Sequence, residues 1–188
     1  MAIRGVRCLV RKIYSKYKSG KLLFTGSQFM VYPRFSIRGG KKIKIGNNFL
    51  AMNNCRIEAW EQYENDKFNP EIVIGDNVSL NEGCHISSIN AVYIGDNVLL
   101  GSRVLISDNA HGKCSKEEIG IPPTKRPLYS KGSVIVEKNV WVGDGVVILA
   151  GVKIGEGSII GANAVVTKSV PSNSIVAGVP AKVIREIN

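Results

Sequence analysis

A period of six residues constrains this chain more than any other feature. Val136, Val142, Ile148, Ile154, Ile160 and Val166 recur without a slip. The same template gives Ile94, Leu100 and Ile106 upstream, then Ile74, Leu80 and Ile86, then Ile45, Ala51 and Ile57, preceded by Ile37. A helix repeats about every 3.6 residues and a strand about every 2, so neither explains a sustained six. The third residue after an anchor is often Asn (Asn48, Asn54, Asn77, Asn97, Asn139, Asn163) or Gly (Gly83, Gly145, Gly157). Both tolerate the left-handed backbone that a sharp turn requires. One place later a small or β-branched residue returns, as at Val78, Cys84, Val98, Val140, Val146 and Ala164. Each hexad therefore reads as a short strand and a tight corner, and three hexads close one coil of a triangular parallel β-helix. Stacked aliphatic anchors fill the prism, each worth about 1.5–3 kcal/mol when fully buried.

The register also locates the loops. Ile45, Ile74, Ile94, Val136 and Ile154 begin first sides, and Ile37, Ile57, Ile86, Ile106, Ile148 and Val166 begin third sides. Third-to-first steps are 8, 17, 8, 30 and 6 residues, and every other step is six. All excess chain thus leaves at one corner, mainly in excursions at about 58–71, carrying Trp60, Tyr63 and Phe68, and at about 112–133, stiffened by Pro122, Pro123 and Pro127. Two long loops on one edge beside a histidine read as the wall of a binding site.

The first 57 residues hold thirteen Lys/Arg and no Asp or Glu, in a chain of net charge +10. Ile3, Val6, Val10, Ile13 and Tyr17 follow helical spacing among Arg4, Arg7, Arg11, Lys12, Lys16 and Lys18. This amphipathic helix is expected to cap the open prism with its apolar side down, because an uncapped solenoid exposes its core. The competing reading is peripheral contact with an anionic membrane. The expected organisation is a helical cap over 1–30, a β-helix over 31–170 and a C-terminal tail over 171–188. Abundant aliphatic residues exclude disorder of the bulk, and no apolar run approaches the roughly 20 residues of a membrane span. The N-terminus lacks the apolar core of a secretory signal. Four scattered cysteines (Cys8, Cys55, Cys84, Cys114) fit reduced thiols in a cytoplasmic setting. No metal site and no nucleic-acid module is expected.

Ile94-Gly95-Asp96-Asn97-Val98, Val140-Trp141-Val142-Gly143, the stretch Ile160–Lys168 and Ala177-Gly178-Val179-Pro180-Ala181-Lys182-Val183-Ile184-Arg185 resemble the hexapeptide-repeat acyltransferases. The similarity lies in the galactoside, maltose and polysaccharide O-acetyltransferase group and covers about residues 72–188. It implies an all-β, left-handed parallel β-helix, acetyl-CoA as co-substrate, and a homotrimer. Handedness comes from the resemblance alone, since parallel crossovers are normally right-handed.

The resemblance also assigns roles. His111, seventeen residues after Ile94, matches the family's base, and Asn81, thirteen residues before Ile94, matches the acceptor-holding asparagine. An alcohol attacks a thioester poorly unaided; an imidazole can take its proton and return it to the leaving thiol. Backbone N–H groups near Gly143 or the His111 loop are candidate oxyanion donors. Asp108 is a candidate for orienting the imidazole, and His85, placed at the end of a second-side hexad, is structural or adjacent to the acceptor. Cofactor positions map to Trp141, Gly143, Ala162, Thr167, Lys168, Lys182 and Arg185, the basic trio facing phosphates. Asp144 departs from the small polar residue usual before Gly145. Asn81 near the first-to-second corner and His111 near the third-to-first corner are expected to meet only between neighbouring chains.

The expected reaction is acetyl transfer to a sugar or polysaccharide-precursor hydroxyl. The alternatives are N-acetylation of a nucleotide-linked amino sugar and a non-catalytic trimeric scaffold. A γ-type carbonic anhydrase needs three zinc histidines, and this chain has two.

Overall fold

The computed structural model describes residues 2–113 and 115–187, with side chains from Cys8 onward. Cys114 and the side chains of Ile3, Val6, Arg4 and Arg7 lie outside the described residues.

Three parallel sheets form the faces of one triangular prism. The first runs Phe24–Thr25, Ile43–Ile45, Glu71–Ile74, Ala91–Ile94, Val134–Val136 and Lys153–Ile154. The second starts at Met30–Val31 and ends at Ser174–Gly178 with the antiparallel Ala181–Glu186, and the third runs from Ser36–Arg38 to Val165–Val166. The hexad anchors stack in register: Ile45 on Ile74, Leu80 on Leu100, Ile86 on Ile106. Of the sixteen anchors, only Ile37 keeps more than a trace of exposure, and the others form one continuous core. Each strand passes its hydrogen bonds to the coil below, so one residue of slip would turn every anchor outward.

The corners explain the Asn and Gly positions. All nine adopt positive φ, from 55° at Asn48 to 73° at Gly83. On the first-to-second corner the asparagines also form a ladder: Asn48 Nδ2 donates to Asn77 Oδ1 at 2.8 Å, Asn77 to Asn97 at 3.0 Å, and Asn97 to Asn139 at 3.0 Å. Each amide both permits the turn and ties it to the next coil. Arg103 takes the same conformation at φ 56° without either advantage.

The N-terminal end differs from expectation in two ways. The helix spans Ala2–Ser19, and the first coil begins at Phe24, inside the segment assigned to the cap. Phe29, Phe35 and Phe49 plug this end, with Phe29 stacked on Phe49 at 5.4 Å. The helix does cover the prism, but through its polar side. Ser15 Oγ accepts from Val31 N–H at 3.0 Å and donates to Val31 C=O at 3.3 Å, while Tyr14 donates to Phe35 C=O. These bonds complete the edge strand Met30–Val31, which has no coil above it. Val10, Ile13 and Tyr17, expected to face the core, are instead 59–62% exposed.

Replacing Ile106 by Ala removes a fully buried anchor between two coils. The expected cost is about 2–5 kcal/mol, read from urea unfolding.

Candidate active site

Both long excursions leave the third-to-first corner, two coil levels apart, and bend toward each other. The upper forms the hairpin Gln62–Tyr63/Asp66–Lys67. The lower returns as Leu128–Tyr129, antiparallel to Ala110–His111, which pairs His111 with Leu128. Tyr63 Oη donates to Thr124 C=O at 2.8 Å, and Lys125 meets Glu64 at 3.4 Å. The Tyr63 ring stands edge-on to His111, centroids 5.3 Å apart. Trp60 contacts Tyr63 at 6.3 Å and carries the Arg38 guanidinium 3.5 Å over its face.

Beneath this latch, the outer face of the third side floors a cleft of about 290 Å³, lined by Glu58, Trp60, Tyr63, His85, Ser87 and His111 among others. A second cleft of about 350 Å³ shares Ser107 and Asn109 with it and continues past Tyr129 to Thr167. His111 is exposed at the rim, held by its backbone pairing and the tyrosine edge.

His85 opens the third-side strand His85–Ser88, rather than ending a second-side hexad. Its Nε2 lies 3.0 Å from Glu58 Oε2 and its Nδ1 lies 3.0 Å from an Arg56 guanidinium nitrogen. One neutral tautomer satisfies both neighbours: Nε2–H donates to the carboxylate and bare Nδ1 accepts from arginine. Protonation would set Nδ1–H against another donor. Burial is the largest cause holding this imidazole below its ordinary pKa; the Glu58 hydrogen bond opposes it, and the Arg56 charge lowers it further.

Asp108 is a correction. It is fully buried, with one carboxylate oxygen accepting from Ser88 Oγ at 2.5 Å and Asn90 N–H at 2.9 Å, and the other from Ile89 N–H at 2.9 Å and Asn109 Nδ2 at 3.1 Å. Those bonds fix the turn of the preceding coil, so this carboxylate neither orients His111 nor faces the cleft. Gly143 is another. Its N–H donates to Ile160 C=O at 2.8 Å and is unavailable to an oxyanion. A Cβ there would come within 2.7 Å of Ala162 N, so the glycine serves coil stacking. Asp144 Oδ1 accepts from Ser102 N–H at 2.7 Å and has a corner-holding role.

Asn81 directly follows the second-side strand Ser79–Leu80, which puts it at the second-to-third corner, not the first-to-second. Its carbonyl accepts from Cys55 Sγ at 3.0 Å. Gly143 and Ala162 occupy that corner on lower coils, and Trp141 lies nearby on the second face, 53% exposed and in register with Leu99 and Ile159. Thr167 and Lys168 instead share the corner of His111. Lys182 and Arg185 project from the last antiparallel strand, paired with Ala177 and Ile175. The expected site residues therefore fall into two groups on different corners of one prism. Trp60, Tyr63, Arg38 and Glu58 were not among them; the shared exit corner of the two loops is the sequence signal that points to them.

Comparison with known proteins gives consistent results. Residues 133–168 match the family of bacterial transferase hexapeptides (six repeats), and residues 91–107 match the hexapeptide repeat of succinyl-transferase. The chain is 35% identical over 172 residues to WbbJ of Escherichia coli, named as a lipopolysaccharide biosynthesis O-acetyl transferase, covering 89% of this chain and 83% of that one. It is 39% identical over 126 residues to the galactoside O-acetyltransferase of Escherichia coli, spanning 57% of that protein's length and 64% of its own. A galactoside acetyltransferase solved with coenzyme A superposes with a TM-score of 0.57 at 32% identity, covering 90% of this chain and 68% of that one. AntD, an N-acyltransferase from Bacillus cereus, has the same fold, with a TM-score of 0.74 at 22% identity over 92% of this chain and 89% of that one.

His85 binds fewer protons folded than unfolded, so it favours the folded state less as pH falls below about 6.5. The His85 contribution should therefore fall as pH drops below about 6.5, and His85→Gln should flatten that part of the profile, measured as urea midpoints across pH.

Proposed function

Because this chain belongs to the hexapeptide-repeat acetyltransferase family, we propose that it transfers the acetyl group of acetyl-CoA to a hydroxyl of a sugar or polysaccharide precursor, with His111 as the general base. The observation that carries this reading is His111 at the rim of a two-loop cleft whose floor offers Ser87, Ser107 and Asn109. His111 takes the proton of the acceptor hydroxyl as its oxygen attacks the thioester carbonyl, then gives that proton to the departing sulfur. The C–O bond forms, the C–S bond breaks, and the imidazole ends as it began. Trp60 and Tyr63 supply apolar faces of the kind a sugar ring stacks on, and His85 and Glu58 offer hydrogen-bonding edges to its hydroxyls.

The residues present fit coenzyme A. Lys168, Lys182 and Arg185 are exposed and, among the described residues, form no ion pair, leaving them free for phosphates. Thr167 lines the groove that leads from His111. Ala162 shares the other corner with Asn81, and Trp141 stands on the adjoining second face, which supports a homotrimer in which one chain supplies the His111 edge and its neighbour the Asn81 edge. The relatives' names support a place in envelope polysaccharide synthesis. Cys8, Cys55 and Cys84 are free, which supports a cytoplasmic setting.

His111→Ala should lower acetyl-CoA-dependent thiol release by about 10²–10⁴-fold with a suitable acceptor, while a scaffold would show no His111-dependent release. Mixing and reassembling the inactive Asn81→Ala and His111→Ala proteins should restore about a quarter of wild-type activity if neighbouring chains share the site. A site within one chain would restore none. A panel of sugar alcohols and amino sugars distinguishes O- from N-transfer.

A further inference from the structure

We infer that the N-terminal helix docks this protein in the plane of an anionic lipid surface, through the apolar stripe that it turns away from the prism. The helix cannot bury that stripe by rolling. Ser15 is tied to both backbone groups of Val31, Tyr14 to the carbonyl of Phe35, and Arg11 to the Tyr32 hydroxyl. Turned away from these anchors stand Leu9, Ile13 and Tyr17, each about three-fifths exposed, while Val10, equally exposed, borders the groove between the helix and Tyr32. Leu23 and Phe24, exposed by 52% and 57%, add to the apolar surface at the same end. Among the described residues no helix is long and apolar enough to cross a membrane. An amphipathic helix of this kind lies along an interface with its stripe in the acyl boundary.

Charge selects the occupant. Residues 1–57 carry thirteen cations and no acid, whereas residues 58–188 carry twelve Lys/Arg against fifteen Asp/Glu. The prism is thus electrically lopsided along its axis. Lys12 and Lys16 flank the stripe, exposed and without an ion-pair partner among the described residues, and Lys21 Nζ lies 4.7 Å over the Tyr17 ring. A second copy docking through this face would bring two such cationic ends together. A bilayer with anionic headgroups offers both an apolar layer and the opposite charge. The inference does not depend on the acetyl-transfer reading.

The test is flotation of the full-length protein with phosphatidylcholine vesicles, with and without phosphatidylglycerol. Co-flotation is expected only with the anionic vesicles and should fade with added salt. Lys12→Glu and Lys16→Glu should each weaken binding by at least about fivefold, and Ile13→Asp should abolish it, with circular dichroism and thiol release unchanged. Equal binding to neutral vesicles, absence from both, or flotation that survives Ile13→Asp would overturn the inference. So would an Ile13→Asp protein that loses its oligomeric state by light scattering, since the stripe would then be a contact between copies.

Discussion

Every other feature rests on the parallel hydrogen-bond ladder that hands each strand to the next coil about 4.8 Å below. The ladder fixes which residues face inward. It lets Ile, Leu and Val stack in continuous columns, and it forces three corners per turn to stay narrow. The asparagine ladder from Asn48 to Asn139 is its side-chain counterpart. The backbone requires a left-handed residue at that corner, and asparagine meets the requirement while adding a bond between coils. A buried anchor and a corner amide thus do different parts of one task, excluding water along the axis and preventing slip around it.

The site inherits its geometry from that rigidity. His111 leaves the third-side sheet on a short antiparallel pairing, and the tyrosine of a hairpin two levels above meets its ring edge-on. Tyr63 and Thr124 join the two loops, and Asp108 fixes the turn between their coils. The buried carboxylate three residues before His111 therefore preorganises the wall through the turn it binds.

The register was legible because six is a period that no other common structure shares. From Ile37 onward each anchor predicted from spacing lies on its expected face. Spacing alone hides the first coil, because Thr25 puts a hydroxyl-bearing residue at the anchor position, although Val31 and Ile37 follow at six and twelve. The helix stripe was visible, but periodicity reports that a face is apolar, not that it is covered. Ser15, a poor candidate for a core contact by composition, turned out to make the decisive bonds. Asp108 shows the same limit. Proximity in sequence to a reactive residue does not say where a side chain points, and the preceding coil claims this carboxylate.

That all surplus chain leaves at a single corner has a consequence for how such molecules diversify. Recognition surface and scaffold occupy separate stretches of sequence, so the hairpin at 62–67 or the lobe at 112–133 can be lengthened, shortened or exchanged while the stacked columns stay untouched. A new acceptor could then be accommodated by editing one vertex of a triangle, with the imidazole kept at its post.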